Sequence, residues 1–101
     1  MNRRLYSLQE FFLGYFHPDW QLDSPSRAAV VEEFLRTAEP SQAKAVAEDL
    51  HELLGRSLTE EQLHALVLDE YSLFFDPWRH EISMREWLEG LVGEMESGVQ
   101  G

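Results

Sequence analysis

Apolar residues recur along this chain every three or four positions, the spacing that lines one face of an α-helix. The first such run spans about Arg3 to Phe16. It puts Leu5, Leu8, Phe12, Tyr15 and Phe16 on one face, with Phe11 beside them. In the next stretch, SPSRAAVVEEFLR, Ser24 fits an N-cap and Pro25 the first helical position, where a missing N–H costs nothing. Val30, Val31, Phe34 and Leu35 form the stripe of that second helix. Pro40 opens a third, in which Ala43, Val46, Ala47, Leu50, Leu53 and Leu54 face inward and Gly55 is a natural stop. Thr59-Glu60-Glu61-Gln62 reads as a capping box ahead of Leu63, Leu66 and Val67. Ser83-Met84-Arg85-Glu86 reads as a second box, opening a helix that buries Met84, Trp87, Leu88, Leu91, Val92 and Met95.

Between the last two helices lies YSLFFDPWRHEI. Its aromatics favour extended backbone and Asp76-Pro77 favours a turn, but a lone strand has no partner, so this is expected to be an ordered loop that carries Phe74 into the core. Residues 97–101, SGVQG, bury little and are expected to form a flexible tail. The pattern predicts an all-α fold: a single compact domain of about five helices over residues 1–96, with an aromatic loop before the last helix. There is no internal repeat and no low-complexity segment.

Composition narrows the class. A chain of 101 residues buries roughly two-thirds of the surface its unfolded form exposes, enough for one modest core. The content is 44% hydrophobic with no cysteine, which removes disulfides and thiolate chemistry from consideration. Arg3-Arg4 precede apolar residues as in an export signal. Ser7, Gln9 and Glu10 interrupt that run, however, and no small-residue cleavage site follows. No stretch reaches the roughly 18 to 20 apolar residues that span a bilayer, so a soluble, cytoplasmic protein is expected, without a membrane partner.

Charge changes the picture further. Eight Lys and Arg against nineteen Asp and Glu give a net charge of −11. Such a field repels phosphate backbones, so direct nucleic-acid binding is not expected. It steers a basic partner into contact, or serves solubility alone.

Candidate chemistry is sparse. His51 and His64 lie on different helices and His17 and His80 in separate loops, so no pair has the spacing of a helical zinc site, and neither a metal nor another cofactor is expected. With nineteen carboxylates present, no chosen pair is informative as an acid and base. Ser24, Ser41, Ser57, Thr59 and Ser83 stand at or near predicted helix starts, where capping explains them. The cluster His17-Pro18-Asp19-Trp20 reads structurally: Pro18 ends the first helix, Asp19 bonds to turn amides, and Trp20 folds back over the open end of the core. Two other readings stay open for it, a partner-facing patch and a His17–Asp19 catalytic pair.

Three segments carry a family resemblance. LQEFFLGYFHPDW, then YSLFFDPW, then SMREWLEGL follow one another in order and spacing over nearly the whole chain. Together they resemble the small helical immunity proteins of bacterial contact-dependent growth inhibition, the CdiI type. Tyr15, Phe16, His17, Asp19 and Trp20 match that family's first motif. Asp76 and Pro77, after a Phe75 that stands where Tyr is usual, match its second, and Arg85, Glu86, Trp87 and Leu88 its third. The resemblance implies a non-enzymatic protein whose partner is the cognate toxin domain at the C-terminus of a contact-dependent growth inhibition effector. Cytoplasmic toxins of such systems are commonly nucleases, whose phosphate-binding grooves are basic, and an acidic inhibitor suits such a groove. Short of the resemblance, an acidic adaptor for another basic protein fits the composition as well. Solvent-facing Glu32, Glu33, Glu48, Asp49, Glu52, Glu60 and Glu61 are expected on the middle helices. The contact face is expected at Asp69, Glu70 and Tyr71 with Trp78, where acidic groups accompany an aromatic anchor.

Overall fold

A computed structural model describes residues 5–16, 20, 26–73 and 75–100, with side chains described as far as 97. Every regular element among the described residues is helical, as the apolar period predicts. Helix α1 spans Tyr6–Tyr15, α2 Arg27–Thr37, α3 Pro40–Gly55, α4 Glu60–Ala65 and α5 Met84–Gln100. A single π-helical turn, Leu66–Glu70, extends α4, and a 3-10 turn, Pro77–His80, lies in the aromatic loop. Helix α5 is the hub, packing along α3 and α2, while α1 lies against α3. No helix among the described residues is long and apolar enough to cross a membrane.

The core follows the predicted stripes. Leu8, Phe12, Phe34, Val46, Leu50, Leu53, Leu63, Val67, Leu88 and Leu91 are completely buried. Tyr15, Leu35, Ala47, Leu54 and Leu66 pack against them from its edge. Aromatic rings link the chain's first third to its last helix. Phe11 packs at a tilt on Phe34 and meets Phe16 edge-on, and Phe16 in turn meets both Trp20 and Trp87.

Several boundaries differ from the sequence reading, each for a local reason. The N-cap of α2 is Ser26, whose Oγ accepts from the Ala29 N–H at 3.2 Å; Ser24 and Pro25 lie outside the described residues, as does Arg3. Starting the helix at Arg27 lets that guanidinium reach α5, where Nε meets Glu94 Oε1 at 2.6 Å and Nη1 donates to the Trp87 carbonyl at 2.9 Å. The guanidinium lies directly over Gly90, where a Cβ would come within 2.6 Å of it. That contact accounts for a glycine inside α5 despite a cost of roughly 1 kcal/mol relative to alanine. Helix α5 itself continues past residue 96 to Gln100, in a stretch with no proline to stop it.

Asp49 is a correction. Expected on a solvated face, it is only 3% exposed, and its Oδ2 accepts from the Leu8 N–H of α1 at 3.1 Å. Leu5, at the N-cap of α1, offers no capping side chain. A carboxylate from α3 therefore satisfies one of the orphan amides and sits favourably at the positive end of the helix. Asp49→Ala leaves that amide without its carboxylate. The expected loss is about 1 to 3 kcal/mol in a denaturant titration. Asp49→Asn, which keeps an acceptor, is expected to lose less.

Candidate functional site

The start of α4 organises the surface around Trp78. Both halves of the predicted capping box form: Thr59 Oγ1 accepts from the Gln62 N–H at 3.1 Å, and Gln62 Oε1 from the Thr59 N–H at 2.9 Å. With those amides satisfied, the Glu60 carboxylate is directed away from its own helix. Its Oε2 accepts from the Trp78 indole N–H and from the Met84 N–H, each at 2.6 Å, and its Oε1 from the Arg85 N–H at 3.1 Å. One carboxylate thus bonds to the 3-10 turn and caps α5. The predicted box at Ser83 forms in one half, with the Glu86 N–H donating to Ser83 Oγ at 3.0 Å.

Asp76 opens the 3-10 turn. Its Oδ1 accepts from the Trp78 N–H at 3.0 Å and from His64 Nε2 at 2.8 Å. The turn closes through Glu81, a non-glycine residue in the left-handed region at φ 60°, with the Ile82 N–H returning to the Pro77 carbonyl at 3.1 Å. The His64 ring lies under Trp78, with centroids 3.6 Å apart and planes 10° from parallel. Trp78 is nonetheless 42% exposed, and Ile82 on the same turn is 38% exposed.

Electrostatics reinforce the arrangement. Burial alone pushes the Glu60 carboxyl up, but hydrogen bonds from Trp78, Met84 and Arg85, with the charge of His64, hold it below its ordinary 4.5. Burial opposes Asp76 ionisation too. The bonds from His64 and the Trp78 amide, with the charges of His64 and Arg79, bring it below 3.8. A carboxyl with a depressed folded pKa adds stability that is complete above its unfolded pKa and lost as pH falls through the folded one. The melting temperature is therefore expected to fall on acidification below about pH 4. In a thermal scan against pH, Glu60→Gln is expected to flatten that decline.

The expected contact residues are held by different anchors. Asp69 and Glu70 are exposed on the π-helical turn, and the Glu70 carbonyl accepts from Gln9 Nε2 at 3.4 Å. Tyr71 is another correction: it is 3% exposed, and its hydroxyl accepts from the Leu5 N–H at 3.4 Å, so its ring supports the turn from inside. The widened turn keeps Leu63, Val67 and Tyr71, each four residues from the next, all buried.

The motif residues lie mostly in the interior. Tyr15 packs on Phe11 and Phe34, with its hydroxyl 2.9 Å from Thr37 Oγ1. Phe16 and Trp87 are buried, and Trp20 is 5% exposed, edge-on to Phe16 and Phe75. His17, Pro18, Asp19 and Phe74 lie outside the described residues. Pro77 is buried, and Arg85 donates to the Leu54 and Leu58 carbonyls at 3.1 and 3.3 Å, closing the end of α3. Glu86 is exposed.

The sequence reading missed Glu60 and His64 as anchors. Glu60 reads as one more first-turn glutamate, and no local spacing links either residue to Trp78, eighteen and fourteen positions away. Among the described residues, no three or more His, Asp or Glu side chains gather in a way that could hold a metal ion. What this surface presents is a half-exposed indole fixed by two carboxylates, Glu60 at its ring N–H and Asp76 at its backbone amide.

Comparison with known families agrees with the motif pattern: the family model described as CdiI immunity protein matches residues 4–95. No curated protein and no solved structure matches the chain.

Proposed function

The chain belongs to the CdiI immunity protein family and neutralises the toxin of a contact-dependent growth inhibition system; from that premise we propose that the toxin is a basic nuclease domain, bound in the cytoplasm through the Trp78 turn with Asp69 and Glu70 beside it. One observation carries this reading. A chain of net charge −11 presents a half-exposed tryptophan whose indole N–H and backbone N–H are already bonded to carboxylates. Interface hot spots are enriched in tryptophan, and acidic surfaces accelerate encounter with basic ones. A nuclease needs a positive groove for its phosphates, so an inhibitor with this field can occupy the groove that the substrate would use. Binding without catalysis is sufficient for that role. Tyr71 contributes from beneath, by holding the turn that carries Asp69 and Glu70.

The test is growth rescue and binding with the C-terminal domain of the neighbouring effector. Co-expression is expected to restore growth, and the purified protein to stop that domain from cleaving nucleic acid. The association rate is expected to fall as salt is raised, because the charges that steer encounter are screened. A toxin domain that attacks no nucleic acid, or an association rate indifferent to salt, sinks the basic-nuclease reading.

A further inference from the structure

We infer that the outer face of Trp78 seats a guanidinium or ammonium group of the toxin, in a cation–π contact at the centre of the interface; this rests on the toxin-binding reading above. The indole has two faces. His64 covers one at 3.6 Å, nearly parallel, so the 42% exposure of Trp78 comes from the opposite face and the outer edge.

An exposed indole by itself suits any apolar knob. Here the surroundings select a cation. The indole N–H donates to Glu60 Oε2 at 2.6 Å. A carboxylate on that N–H pushes electron density into the ring and deepens the negative face that attracts a cation. Asp76 stands at the backbone of the same residue, with Oδ1 3.0 Å from the Trp78 amide nitrogen. Arg79, the neighbouring cation in the chain, acts on Asp76. The protein makes such a contact internally, where Arg27 lies 5.5 Å from the Trp87 ring centroid. Among the described residues no Lys or Arg lies over Trp78 as Arg27 does over Trp87, and the one titratable ring that stacks on it, His64, takes the inner face, so the outer face is left for a cation supplied by the partner.

The experiment replaces Trp78 alone with tryptophans carrying progressively more ring fluorines. Each variant is titrated against a catalytically inactive C-terminal domain of the neighbouring effector. Fluorine withdraws density from the ring while barely changing its shape, so the apolar contact survives and the cation contact weakens. Affinity is expected to fall stepwise with fluorine number, by about tenfold or more across the series. A Kd that stays constant across the series, while Trp78→Ala weakens binding, overturns the cation seat and leaves an apolar one. Failure of the unmodified protein to bind that domain at all overturns the toxin-contact reading, and this inference with it.

Discussion

Truncation of Trp20 to alanine is expected to cost about 3 to 5 kcal/mol, the range for removing a buried tryptophan side chain. At roughly 4 °C or more per kcal/mol for a domain of this size, the melting temperature falls by at least about 12 °C. The structural basis is specific. Trp20 is 5% exposed and meets Phe16 and Phe75 edge-on, with centroids 5.0 and 5.5 Å away. Phe16 and Phe75 also both pack on Trp87, so the cavity opens between α1 and α5. The indole N–H of Trp20 meets no acceptor among the described residues. Trp20→Phe, which removes that donor and keeps an aromatic plug, is therefore expected to lose much less. A calorimetric scan decides between these. An unchanged melting temperature in Trp20→Ala means that the ring is not part of the core, and makes it a contact residue instead.

Trp78→Ala is expected to do the opposite. Its ring rests on His64 and on the bond to Glu60, and nearly half of the residue faces solvent, so the melting temperature changes little compared with Trp20→Ala. Toxin affinity is expected to drop by about thirtyfold or more, the equivalent of a hot-spot loss near 2 kcal/mol. The loss belongs in the dissociation rate, because no charge is removed and steering is intact. The double replacement Asp69→Asn with Glu70→Gln is expected to lower the association rate and its salt dependence. Stopped-flow and surface-binding measurements on the two variants separate the anchor from the steering charges. Equal affinity of Trp78→Ala and the parent protein excludes the turn as the contact face.

Much of this architecture is legible in the sequence, because its causes are local and periodic. The stripes on α2, α3 and α5 follow from 3.6-residue geometry, and Thr59 with Gln62 announces the start of α4 within four residues. Contacts made across the fold are not legible. An aspartate at position 49 reads as solvated until the unpaired amides of α1 are placed against it. Tyr71 reads as half of an acidic-aromatic patch until the π-helical turn carries its ring inward. Ser24 and Ser26 are equally good caps by residue type, and the reach of Arg27 to Glu94 distinguishes them only in three dimensions. The same holds for the surface around Trp78. The exposed tryptophan could be picked from its neighbours in the sequence, whereas Glu60, His64 and Asp76 acquire their roles only when α4, the 3-10 turn and α5 meet.

The bonds to Glu60 also bear on the entropy of association. A free tryptophan side chain on a loop samples several rotamers, and fixing one on binding costs about 0.5 to 1.5 kcal/mol. Trp78 is already held at its indole N–H, its ring face and its backbone amide before a partner arrives. Most of that ordering is met when the chain folds, so a partner that docks on Trp78 finds its anchor immobile and keeps more of the contact energy as affinity.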